Sequence, residues 1–110
     1  MNSEHSIMLD FQQAKARADE LDEIASQIKN LTEKDFEADL QVLSKAWQGE
    51  AANQFLKKGI LMKNKMLETA KSLNETAKTI RSTAKRTYDA EMRALELAKQ
   101  REYLLSKSNQ

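Results

Sequence analysis

The sequence predicts an all-α fold, an antiparallel two-helix hairpin, on three observations. Proline is absent and only two glycines occur in 110 residues, so the chain has few places to end a helix. Ala, Leu, Lys, Glu, Gln and Met dominate, and these are strong helix formers. Apolar residues recur at helical spacing on both sides of one short segment, Trp47-Gln48-Gly49. The length suits a single domain, 1–110, with helices over about 9–45 and about 50–106 around a turn at 46–49.

Residues 1–7 are polar and aperiodic and are expected to fray. The first helix is expected from Leu9. Leu21, Ile24, Ala25, Ile28 and Leu31 recur at i, i+3, i+4, i+7 and i+10, which is one helix face. The stripe then shifts phase to Phe36, Leu40, Leu43 and Trp47. Ala25, Phe36 and Trp47 are eleven apart, close to three turns, so a continuous helix keeps them on one side. Thr32-Glu33-Lys34-Asp35 resembles a capping box that would break the helix. Continuity with a local irregularity there is the favoured reading.

The pattern stops at Trp47-Gln48-Gly49. Gly49 is the residue here that takes positive φ without strain, as a helix C-terminus often requires. Glu50 follows, where a carboxylate suits the start of a new helix. Ala51 and Ala52 let two helices approach closely, and Trp47 and Phe55 flank the turn. In the second arm, Met66, Ala70, Leu73, Ala77, Ile80 and Ala84 alternate steps of four and three, a heptad seam. Gly59 marks either a kink or a close helix contact. The second arm is the longer, and about 20 of its residues are expected to overhang the first. That overhang carries Leu95, Leu97, Ala98, Tyr103, Leu104 and Leu105. One stripe per helix cannot cover all these apolar residues. The sequence therefore predicts a partner, homodimeric or heterodimeric, and a four-helix bundle as the product. The expected partner interface is Leu21, Ile28, Phe36, Leu43, Phe55, Met66, Leu73 and Ile80.

No chemistry-bearing constellation is present. Cysteine is absent and His5 is the single histidine, so thiolate and histidine-based metal sites lack ligands. Asp19-Glu20 and Asp22-Glu23 read as a solvated helix face. The sequence predicts no catalytic residue and no cofactor. Residues 1–40 hold ten acids against four bases, and residues 41–110 seven acids against fourteen bases. Two arms of opposite charge attract each other. Lys78, Arg81, Lys85 and Arg86 form a basic stripe, but without interleaved aromatics it does not predict nucleic-acid binding. No apolar run approaches the ~18 residues of a membrane span, and no secretory leader is apparent at the N-terminus.

The segment Ala46-Trp47-Gln48-Gly49-Glu50-Ala51-Ala52-Asn53-Gln54-Phe55 resembles the turn segment of the WXG-hundred (Esx-like) family of type VII secretion systems. The resemblance covers about residues 9–90. It implies a helical hairpin, dimerisation into a four-helix bundle, and leaderless export from the cytoplasm through a machine built on a membrane-bound type VII ATPase. It also implies a role as a secreted or cell-surface substrate, or as a targeting partner and chaperone. The family includes small partners that bind the helical N-terminal domain of LXG-type toxins. Many members carry Tyr-x-x-x-Asp/Glu after the second helix. Here Tyr88-Asp89-Ala90-Glu91-Met92 places methionine at that acidic position, and Tyr103 is followed by Lys107 four residues on. Tyr88, Asp89 and Glu91 are therefore a variant export signal, or the signal sits on a partner. The rival functional reading is a general cytosolic helical adaptor or chaperone. A membrane-surface role ranks last, because the polar faces are of mixed sign.

Overall fold

The computed structural model describes residues 3–108, and among them it contains helices and no strand. Helix α1 spans Glu4–Asn30, a π-helical segment spans Leu31–Phe36, and α2 spans Glu37–Ala46. After a three-residue connection, α3 spans Glu50–Ser108 without a break. The fold is an all-α helical hairpin. Contacts group the chain into two compact units: Asp19–Ala77, and the chain up to Ala18 together with the chain from Lys78 onward.

In the unit Asp19–Ala77, the two arms meet along a narrow seam. Ala25, Thr32 and Leu40 are buried on one side, and Ala52, Ala70 and Ala77 on the other. Leu21, Ile28, Phe36, Leu43, Met66 and Leu73 are half-buried beside them. Alanine at the innermost positions lets the backbones approach, and the larger neighbours cover the flanks. Gly59 belongs to the same pattern. A Cβ on Gly59 would come within 2.5 Å of Leu40 Cδ2, so this glycine marks a close helix contact and not a kink.

The irregularity between Thr32 and Asp35 has a specific form. Along the first arm the covered positions run 18, 21, 25, 28 and 32, alternating steps of three and four. They then run 32, 36, 40 and 43, with two successive steps of four. The stripe has gained one residue, and a π turn holds one residue more than an α turn. The Glu37 N–H donates to the Thr32 carbonyl, an i to i−5 bond, at the end of the π segment. Thr32 is fully buried, and its hydroxyl donates to the Ile28 carbonyl at 2.7 Å. A buried hydroxyl is thereby satisfied within its own helix. No capping break occurs.

The second unit pairs the start of α1 with the distal part of α3. Helix α1 begins at Glu4, earlier than the apolar periodicity suggests. Ser3 supplies the reason: its Oγ accepts the Ser6 N–H at 3.1 Å, and its carbonyl accepts the Ile7 N–H at 3.0 Å. This is N-capping, which satisfies donors that a helix start otherwise leaves unpaired. Glu4 adds a carboxylate to the first turn. Ile7 is then buried, 2 % exposed, in place of the frayed segment expected from its polar neighbours. Because α1 starts early, it covers more of α3, and Leu95 and Ala98 are half-buried. Every residue from 99 to 108 is exposed, so the overhang is shorter than arm lengths alone suggest.

Candidate functional site

The turn is built from three backbone features. Trp47 ends α2 in an extended conformation, φ −125° and ψ 126°, and its N–H still donates to the Leu43 carbonyl. Gly49 has φ +112°, a region that side chains avoid. A Cβ at Gly49 would meet nothing within 4 Å, so glycine is required by the backbone conformation and not by space. The Gly49 carbonyl accepts the Asn53 N–H at 3.0 Å, which opens α3. Gly49 thus serves the start of α3 as much as the end of α2. Ala52 is fully buried behind the turn. Trp47 and Phe55 stack across it with ring centroids 5.6 Å apart, tilted by 56°.

At the far end of α2 from the turn, Lys63 Nζ lies 2.6 Å from Glu37 Oε2 and ties α2 to α3. The hydrogen bond from Lys63, aided by its charge and by Gln41, lowers the Glu37 pKa against a smaller opposing effect of burial.

The apolar residues divide into two sets. Leu21, Ile28, Phe36, Leu43, Met66, Leu73 and Ile80 are half-buried. Those within Asp19–Ala77 face the opposite arm of their own chain, and Ile80 lines a cleft in the other unit. Phe55 stays 49 % exposed beside Trp47 at 44 %. A second set lies off the seam and is more open: Ile24, Leu31, Val42, Ile60, Leu61 and Met62. Periodicity alone places Ile24 and Leu31 in the seam stripe and does not single out Val42 or the Ile60-Leu61-Met62 run. The available signal is that these residues fall outside the alternation of three and four.

In the other unit, the Tyr88 ring packs on Phe11 with centroids 4.9 Å apart. Asp89 accepts from Lys85 Nζ at 3.2 Å, and Glu91 lines a cleft that Asp10 also lines. The cleft measures about 400 Å³ and lies between Ile7, Phe11 and Ala14 of α1 and Ile80, Thr83, Ala84 and Thr87 of α3. In the basic stripe, Lys85 is held by Asp89, and Arg86 Nη2 donates to Thr83 Oγ1 at 3.4 Å. Among the described residues, no group of three or more potential metal-binding His, Cys, Asp or Glu side chains occurs. No described helix is long and apolar enough to cross a membrane.

No curated protein and no solved structure matches the chain. A family model does: that of proteins of 100 residues with WXG, over residues 6–92. The match spans the first turns of α1, the π segment, the Trp47-Gln48-Gly49 turn and α3 past Tyr88. The matched residues include Trp47-Gln48-Gly49, the W-x-G tripeptide that the family's description names. The chain belongs to the WXG100 family, small helical proteins associated with type VII secretion.

Proposed function

We propose that the chain is an accessory partner in type VII secretion that docks on another helical protein and escorts it to the export machine. The observation that carries this reading is the set of uncovered apolar residues at the turn and along the first turns of α3. Trp47, Phe55, Ile60, Leu61 and Met62 are each between 44 % and 63 % exposed, and one hairpin has no further helix to cover them. A four-helix bundle buries such faces against a second hairpin. WXG100 proteins typically form dimers with small helical partners. The partner in this reading is the helical N-terminal domain of an LXG-type toxin, and the type VII ATPase receives the complex. Leu21, Ile28, Phe36, Leu43, Met66 and Leu73 support this contact from the flanks of the seam, Phe55 belongs to the uncovered set beside Trp47, and Ile80 lies apart in the cleft of the other unit. The chain is cytoplasmic before export and leaves with its partner, by a signal on the partner or by Tyr88, Asp89 and Glu91.

The test is co-expression with the N-terminal domain of a co-encoded LXG-type toxin, followed by size-exclusion chromatography with light scattering. A stoichiometric complex is expected, and Leu61→Glu with Met62→Glu should abolish it while helicity persists. Elution of the two proteins as separate species would overturn the reading.

A further inference from the structure

The cleft between α1 and the distal part of α3 is a gap with a polarity of its own. Ile7, Phe11 and Ala14 of α1 and Ile80, Ala84 and Tyr88 of α3 are all buried or half-buried, and all line it. Ala14 and Ala84 are short, and the residues that precede Ile80, Ala84 and Tyr88 are the threonines Thr79, Thr83 and Thr87. Small side chains inside and along one flank leave a space of about 400 Å³ uncovered. The charged groups that line it are two carboxylates, Asp10 and Glu91, with no lysine or arginine among the lining residues. Glu91 is the last lining residue along α3, and Ile80 lies roughly 16 Å before it. One end of the cleft is therefore acidic and the other apolar. Two cations lie close by without lining it: Lys15 Nζ is 5.5 Å from the centre of the Phe11 ring, and Arg86 donates to Thr83 Oγ1.

We propose that this cleft binds a small amphipathic amine, a primary ammonium head joined to an aryl or alkyl body. The two carboxylates attract a cation and repel an anion. The rings of Phe11 and Tyr88, with centroids 4.9 Å apart, line the cleft with them. Aromatic faces also attract ammonium groups, and the Phe11 ring already draws Lys15. The apolar body of the ligand lies against Ile80, Ala84 and Ala14 and the methyl groups of Thr83 and Thr87. The size fits a small molecule, since pockets for such ligands measure roughly 300–1,000 Å³, whereas a protein partner covers a face of about 800 Å². A ligand held here touches α1 and α3 at once. It therefore binds the folded hairpin and not the unfolded chain, and it stabilises the fold. The site does not rest on the toxin partner proposed above, whose contact is placed at the turn and the first turns of α3.

The test is titration of the full chain, followed by methyl NMR at Ile7, Ala14, Ile80 and Ala84, with four probes. Phenylbutylamine has the proposed head and body, phenylbutyrate the same body with the opposite charge, phenylbutanol no charge, and butylamine the head with little body. Phenylbutylamine should shift these methyl signals and bind about tenfold or more tighter than phenylbutyrate or butylamine. Asp10→Asn with Glu91→Gln should reduce its affinity to that of phenylbutanol. Thr83→Phe, at an exposed position, should fill the cleft and remove binding of the amine and the alcohol alike, with helical circular dichroism unchanged. Equal affinity for phenylbutylamine and phenylbutyrate would overturn the proposal, as would shifts centred away from the cleft. Equal affinity for butylamine would overturn it too, because the cleft would then read only a head of the kind that a protein's lysine presents. The four probes on the parent chain decide the matter even where a variant fails to fold. None of these results bears on toxin-domain co-purification, so the two readings fail separately.

Discussion

Within Asp19–Ala77, the arm that ends at Ala46 and the arm that begins at Glu50 present the same kind of seam on different backbones. On α3, residues 52, 56, 59, 63, 66, 70, 73 and 77 keep a strict alternation of four and three, and the helix is α throughout. On the first arm the alternation slips by one residue after Thr32, and the backbone becomes π-helical over Leu31–Phe36. The burial pattern has overridden the local hydrogen-bond preference. A π turn is rarer and less favourable than an α turn. Without it, however, Phe36, Leu40 and Leu43 would rotate away from the opposite arm, and Leu40 is buried against Gly59.

Deletion should separate the two arms most widely. Removing Lys34, exposed in the π segment, lets the first arm return to a plain α-helix with its stripe in phase. Stability to denaturant should then change by no more than about 1 kcal/mol. Removing Lys71, equally exposed on α3, turns every later seam residue by one position. That deletion should cost about 4 kcal/mol or more, or abolish cooperative unfolding. Equal losses in the two deletion variants would refute the role given to the π turn.

A smaller effect probes the close contact that the slip preserves. Leu40→Ala should cost about 2–3 kcal/mol in denaturant unfolding, since it empties the space over Gly59. A loss below about 1 kcal/mol would mean that the contact is not tightly packed. The turn comes next. Gly49→Ala should cost about 1–2 kcal/mol, because alanine is strained at φ +112° even though its methyl meets open space. Gly49→Asn, which tolerates positive φ better, should lose less, and thermal unfolding will rank the two.

The smallest effect concerns the ion pair across the arms. Glu37 has a lowered pKa in the folded chain, chiefly through its hydrogen bond from Lys63. A depressed carboxylate contributes stability above its unfolded pKa and loses it as pH falls through the folded one. Glu37→Gln should therefore be slightly less stable than the parent at neutral pH. The difference should vanish in the acid range, below the ordinary carboxylate pKa. A difference that stayed constant from neutral to acid pH would show that the pair contributes through packing and not through charge.

Much of the fold is legible in the residues. The turn is visible because Trp47-Gln48-Gly49 interrupts two periodic patterns and carries the first of the chain's two glycines, the other being Gly59. The phase slip is legible too, since Phe36, Leu40 and Leu43 continue the earlier stripe one residue late. The backbone that absorbs the slip is not legible, because a capping break and a π turn both accommodate one extra residue. The start of α1 is hidden for a local reason. Ser3 caps the helix through its own side chain, a signal that the polar, aperiodic residues around it mask. The candidate site is the least legible part. Leu21, Ile28 and Met66 look like a partner surface in the sequence, and in the fold they flank the seam between the arms.

Propensity, periodicity and allowed backbone angles are properties of the residues themselves. They were enough to place the helices and the turn, to require glycine at Gly49, and, through the residues around Trp47, to point to the family. Which apolar stripe each helix turns toward its own hairpin, and which it leaves uncovered, came only from the folded chain. Neighbouring stripes on one helix differ by a fraction of a turn, and only the position of the facing helix selects between them.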